Sequence, residues 1–105
     1  MTLFKKSPVK ELHIVRTESA GVFIGEIVEL NEENRRCTLK DSRRMWYWDG
    51  AASLSELATK GTSKPSECKF PCEVAETHLF GVIEIIKATQ QAIDSIDSVP
   101  VWSAH

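Results

Sequence analysis

No stretch of this chain is apolar over anything near the roughly 20 residues that a bilayer-spanning helix needs. The opening residues Met1-Thr2-Leu3-Phe4-Lys5-Lys6 supply neither the apolar segment nor the small-residue cleavage site of a secretory signal, so a cytoplasmic, membrane-free protein is expected. Cysteine is scarce and odd in number: Cys37, Cys68 and Cys72, which points to reduced thiols rather than a disulfide framework. Cys68 and Cys72 bracket Lys69-Phe70-Pro71, but no second Cys/His pair follows at zinc-site spacing, and His78 and His105 are the remaining nearby donors. Small buried hydrophobes describe these cysteines better, and neither metal nor cofactor is expected. An excess of one charge is also lacking. The net charge of −2 does not suggest a general nucleic-acid binder. Catalytic patterns are missing too: His13, His78 and His105 form no recognisable arrangement with Cys72 or Ser53, and the carboxylates are scattered. An enzyme is not expected.

The 105 residues fit one domain, and a hydrophobic content of 42% with 27% charged residues is ordinary for a globular chain. The charge is unevenly spread. Arg35, Arg36, Lys40, Arg43 and Arg44 crowd one segment against Asp41 alone, whereas Glu73, Glu76, Glu84, Asp94 and Asp97 face only Lys87. Such separation suits self-association through complementary surfaces, or attraction of an anionic ligand to one side, and a homo-oligomer is the expectation.

Residues 1–11 read as a polar, loose leader and 12–105 as the domain. Leu12–Thr17 alternates and is rich in strand formers, Glu18–Gly21 is a turn, and Val22–Leu30 is a longer strand with Gly25 marking a bulge or bend. Asn31–Asn34 connects to a returning strand, Arg36–Lys40, with Asn suited to a left-handed position. Asp41-Ser42 reads as a tight turn, and Arg43–Trp48 as a fourth strand with Met45 and Tyr47 on one face and Arg44, Trp46 and Trp48 on the other. Ser53-Leu54-Ser55-Glu56 has capping-box spacing, and Gly61 supplies a stop for a short helix. Thr62–Lys69 is a polar loop. Beyond it, Cys72–Glu76 is a weak strand, and the apolar run Leu79–Ile86 predicts a central strand buried on both faces. Thr89 caps a last helix with Ala92, Ile93 and Ile96 inward, Pro100 follows, and Trp102 folds back onto the sheet. The class is α+β: one domain, a bent antiparallel sheet or small open barrel, and two short helices.

The residues with most to offer a ligand lie in Arg43-Arg44-Met45-Trp46-Tyr47-Trp48. Guanidinium groups beside tryptophan rings suit a planar anion: the ring stacks and arginine clamps phosphate. Arg43, Arg44, Trp46 and Trp48 are therefore candidate ligand-binding residues. The competing reading makes Trp46 and Trp48 core, with Arg44 laid over them. Gly50-Ala51-Ala52-Ser53, just ahead of a helix, adds Ser53 as a candidate anion contact, although small residues there also simply permit a tight turn.

With its two arginines, Trp-rich run and Gly50-Ala51-x-Ser53-Leu54-x-x-Leu57-Ala58, this stretch resembles a family of small phage and prophage proteins of unassigned function. The resemblance takes in Ile14-Val15-Arg16-Thr17, Ser19-Ala20-Gly21-Val22, Gly25-Glu26, Val82–Ile86 and Val99-Pro100-Val101-Trp102. It implies a phage accessory protein acting by binding, with no activity to carry over. The expected function is anti-defence: holding a nucleotide-type signal or blocking a host protein. A small nucleic-acid-binding module using an Arg/Trp sheet face is the alternative.

Overall fold

The computed structural model describes residues 11–104; the loose-leader reading of residues 1–11 falls almost wholly outside them. Five strands, β1 (His13–Thr17), β2 (Val22–Asn31), β3 (Arg36–Arg44), β4 (Glu73–Phe80) and β5 (Val82–Lys87), form one antiparallel sheet in the order β4-β3-β2-β1-β5. Two helices, α1 (Leu54–Lys60) and α2 (Gln90–Asp97), complete a single α+β domain.

Strand alternation sends neighbouring residues to opposite faces of this sheet, and both faces are apolar. Ile14 and Ile24, paired across β1 and β2, join Leu57, Ala58, Ala92, Ile93 and Ile96 of the helices. Val15 and Phe23, the next pair along, join Cys37, Leu39, Leu79 and Val82 without any helix. The sheet covers that second cluster by curling. Consecutive strands β4 and β5 occupy opposite edges of the sheet yet are separated by Gly81 alone. Gly81 takes φ +72°, where a side chain is disfavoured. The corner is pinned from both sides: Glu18 N–H donates to the Gly81 carbonyl at 2.8 Å and Val82 N–H to the Arg35 carbonyl at 3.0 Å. The sheet is therefore open along its length but gathered at one end.

This corner corrects the reading of Leu79–Ile86. It is not one central strand but the end of one edge strand and most of the other. An apolar run with period-two faces both buried looks the same whether it continues straight or breaks at a glycine. The Asp41-Ser42 turn is corrected as well: Asp41 takes φ +50° as a bulge and β3 runs on to Arg44. The chain then leaves the sheet, so Arg43–Trp48 is not a fourth strand. In the β2–β3 connection the left-handed residue is Arg35, at φ +54°, while Asn31 uses its side-chain oxygen to accept from Asn34 N–H.

Other local signals hold. Ser53 Oγ accepts from Glu56 N–H at 3.1 Å, and Glu56 reaches back to Ala52 N–H, one residue upstream of the usual capping-box partner. Thr89 caps α2 through Ala92 N–H, and Gly61 ends α1. The expected bend at Gly25 coincides with register shifts in the β2–β3 ladder. There β2 approaches β3 so closely that an added Cβ would lie 2.9 Å from the Ser42 Cβ. Gly25→Val, which strand propensity favours, is expected to cost about 1–3 kcal/mol through overpacking. A urea melt of the variant beside the parent checks this.

Candidate binding surface

Arg43 sits on the helix-covered face, opposite Ile24 of β2. Its guanidinium donates to five backbone carbonyls: Nε to Pro71 at 2.9 Å, Nη1 to Ile96 at 3.1 Å, and Nη2 to Phe70, Val99 and Pro100 at 3.0, 2.8 and 3.1 Å. It also lies 5.5 Å from the centre of the Phe70 ring, and Phe70 is fully buried. Burial pulls the Arg43 pKa down from its ordinary value, and Asp97 and Glu73 work in the opposite direction. The expectation that Arg43 belongs to a ligand surface is thus corrected. Its donors are spent joining the end of α2 to residues 70 and 71.

That clamp organises three passing segments. Tyr47 and Lys69 exchange backbone hydrogen bonds, with Lys69 N–H to Tyr47 O at 2.8 Å and Tyr47 N–H to Lys69 O at 3.3 Å. Trp102 N–H donates to Phe70 O at 3.0 Å, beside a parallel bridge from Phe70 to Val101. These bonds set Trp46 and Trp102 face to face, ring centres 5.2 Å apart and planes 5° from parallel. The Lys69 ammonium stands 5.4 Å from the Trp46 ring, 5.6 Å from Trp102 and 5.9 Å from Tyr47, within cation–π range of all three. The group is on the outside: Trp46 is 59% exposed, Val101 57%, Tyr47 48% and Trp102 44%.

The predicted alternation fails after Met45, which is buried, because Trp46 and Tyr47 are then both exposed. Trp48 turns inward and packs, half-buried, against the helix-side core. The two readings of the tryptophans divide between them: Trp46 is surface and Trp48 is mostly core. Arg44 lies on the other face of the sheet, its guanidinium 4.7 Å above the Phe23 ring. No carboxylate pairs with Arg44 or Lys69 among the described residues. Arg44, Trp46 and Trp48 do border one open cleft of about 340 Å³, together with the Ser19–Val22 turn. A second groove, of about 580 Å³, runs from Arg44 along Phe23, Val74 and Thr77. Ser53 is elsewhere, capping α1.

Sequence reasoning overlooked Lys69, Tyr47 and Trp102 as members of this surface. Trp102 is 56 residues from Trp46 in sequence, and no local period connects them; expected to fold back onto the sheet, Trp102 lies instead on the exposed ring of Trp46. The basic and acidic segments are also brought together within the chain. Lys40 faces Glu76 and Arg43 faces Glu73 across β3 and β4, and Arg16 pairs with Glu84 at 2.8 Å. Of the thiols, Cys37 and Cys68 are buried and Cys72 exposed. Among the described residues no three His, Cys, Asp or Glu side chains gather as a metal site.

Fold and surface together define a small open-sheet α+β domain that presents stacked tryptophans beside unpaired cations. The chain belongs to a family described as a domain of unknown function (DUF6948), whose model matches residues 10–96. Neither the curated proteins nor the solved structures yield a match. The family match stops at Ile96, whereas Val99, Pro100 and Trp102, which Arg43 and Trp46 hold, lie beyond it.

Two expectations follow. Arg43→Ala strands several carbonyls and is expected to lower stability by about 3–5 kcal/mol, whereas Arg44→Ala, losing one exposed cation–π contact, is expected to cost about 1 kcal/mol or less. Thermal melts of both variants at matched conditions check the contrast. Burial raises the Cys37 thiol pKa above its ordinary value. The stability this carries is complete below the unfolded thiol pKa of about 8.5 and is lost as pH rises towards the folded value. Denaturant midpoints measured upward from neutral pH should fall less steeply in Cys37→Ala than in the parent.

Proposed function

We propose that the chain is a non-enzymatic binding protein of phage origin that blocks a host protein, with Trp46, Tyr47 and Trp102 as anchoring side chains. The phage origin rests on the motif around Arg43–Ala58. The observation that carries the binding reading is the exposed Trp46–Trp102 stack, held in place by backbone bonds at residues 47, 69, 70 and 102. Tryptophan, tyrosine and arginine dominate the energetics of protein interfaces. Rings already fixed in position lose little freedom on contact, so more of the buried apolar area counts towards affinity. Lys69 and Arg44 at the margin favour a partner with acidic groups around an apolar centre.

A second reading keeps the nucleotide-type ligand. Arg44, without a carboxylate partner, stands at the meeting point of the cleft and the groove, beside the exposed Trp46. A base stacked on the free face of Trp46, with phosphate on Arg44, fits that arrangement, as does a short single strand. The open shape of both depressions favours the protein partner.

The test uses Trp46→Ala and Trp102→Ala. Each is expected to cost only about 0.5–1.5 kcal/mol of stability, the scale of one aromatic pair. Both are expected to abolish specific capture of a host protein from lysate while the melting temperature moves little. Titration of the parent with nucleotides and a short oligonucleotide runs alongside. Saturable nucleotide binding that Arg44→Ala weakens supports the second reading instead, and oligonucleotide binding that collapses with added salt supports the nucleic-acid alternative.

A further inference from the structure

The sheet has two edges, and they differ. At β5 the first residue is already engaged, since Val82 N–H bonds to the Arg35 carbonyl, and Glu84 and Lys87 hold ion pairs with Arg16 and Glu11. At β4 the ion pair runs along the strand itself, Glu76 to His78, and the edge beyond it is open. The backbone bonds formed outside the sheet ladders and helices include none from Glu73–Phe80 among the described residues. A strand of eight residues is thus left with one row of N–H and C=O groups unpaired, which is a template for another strand. The face of β4 that carries Val74, Glu76, His78 and Phe80 is exposed along its length, with Val74 at 47% and Phe80 at 62%.

We propose that a second copy of this chain docks on that edge, β4 pairing antiparallel with its partner's β4 about a two-fold axis at Thr77. The sequence of β4 is self-complementary in this register and in no neighbouring one. With Thr77 opposite Thr77, Glu76 stands opposite His78 and Val74 opposite Phe80, each pair occurring twice. The two large exposed apolar side chains of the strand cover each other. The carboxylate meets an imidazole N–H, as Glu76 already does within its own chain at 2.6 Å. Sliding the partner by two residues in one direction sets Glu76 against Glu76. Sliding it the other way sets His78 against His78 and leaves Glu76 opposite Phe80. An odd offset turns the exposed face of one copy to the side of the other's Leu79, which is buried. Directly opposed side chains on an antiparallel pair lie about 4.5–5.5 Å apart at Cβ, close enough for these matches to decide the register. The result is one continuous ten-stranded sheet. This surface is separate from the tryptophan stack that carries the proposed function, although Val74 and Thr77 also line the groove beside Arg44.

Sedimentation of the full chain at high micromolar concentration tests it. The expected species has twice the 11.8 kDa of one chain. Glu76→Lys removes the acceptor of the imidazole N–H at both symmetric positions and His78→Glu sets carboxylate against carboxylate at both, and each is expected to weaken the dimer about tenfold or more. The double variant sets lysine against glutamate across the axis and is expected to restore it. Both positions are exposed, so circular dichroism should be unchanged throughout. A parent that sediments as a monomer overturns the proposal, as does a dimer indifferent to both single substitutions or a double variant that stays apart. A monomer whose outward β4 amides are nonetheless protected from exchange also overturns it, because something other than a second copy then covers the edge.

Discussion

One guanidinium ties together parts of the chain that lie far apart in sequence. The residues before β4 and those at and after the end of α2 carry backbone carbonyls with acceptor capacity to spare. Arg43 supplies five donors in a fixed planar fork and collects carbonyls from both, and the residues after β3 follow close behind it in the chain. A lysine has charge enough but only three donors on a flexible stem, and it cannot reach five acceptors at once. Its partners are neutral, so the charge is balanced at longer range by Asp97 and Glu73 rather than by contact. The tryptophan stack is downstream of this arrangement. Trp102 is delivered to Trp46 by residues 99 and 100, which Arg43 holds, and by its own N–H bond to Phe70 O.

The same residue shows how the arginine pair had to be read. Adjacent residues on a strand point to opposite faces, so Arg43 and Arg44 could never have acted as one clamp on a ligand. One went into the protein's own backbone and the other onto the Phe23 ring at the surface. Composition made both look like anion binders. Only knowledge of what covers each face separates them, and for Arg43 that information lies at Ile96, Val99 and Pro100, 53, 56 and 57 positions away in sequence.

Much of the fold was legible where the signal is local. Ser53 and Thr89 announce their helices by oxygen chemistry that acts within three residues, and the alternation of Ile14 with Val15 and Phe23 with Ile24 was correctly a strand pattern. Errors arose wherever two geometries share one pattern. Asp41 reads equally as a turn or a bulge, since both use a left-handed residue with a short polar side chain. The run across Gly81 reads equally as one buried strand or two edge strands. The candidate surface was half legible: Trp46 and Arg44 were singled out, but Lys69 and Trp102 join them only through the Tyr47–Lys69 and Phe70–Val101 bridges, which no spacing rule anticipates.

The pairing of β1 with β5 carries a consequence for how the chain is made. His13–Thr17 is an interior strand of the finished sheet, flanked by β2 and β5, and its second neighbour begins at Val82. During synthesis β1, β2 and β3 can form a meander, but Ile14 and Val15 stay at an edge until nearly the whole domain has emerged. Loop closure across that span is entropically slow, and contacts so distant in sequence delay folding generally. Through that interval a nascent chain displays its most buried strand to whatever else is nearby. The short Gly81 link shortens the wait: once β4 has docked on β3, the beginning of β5 is only one residue away, and β1 gains its partner with almost no further search.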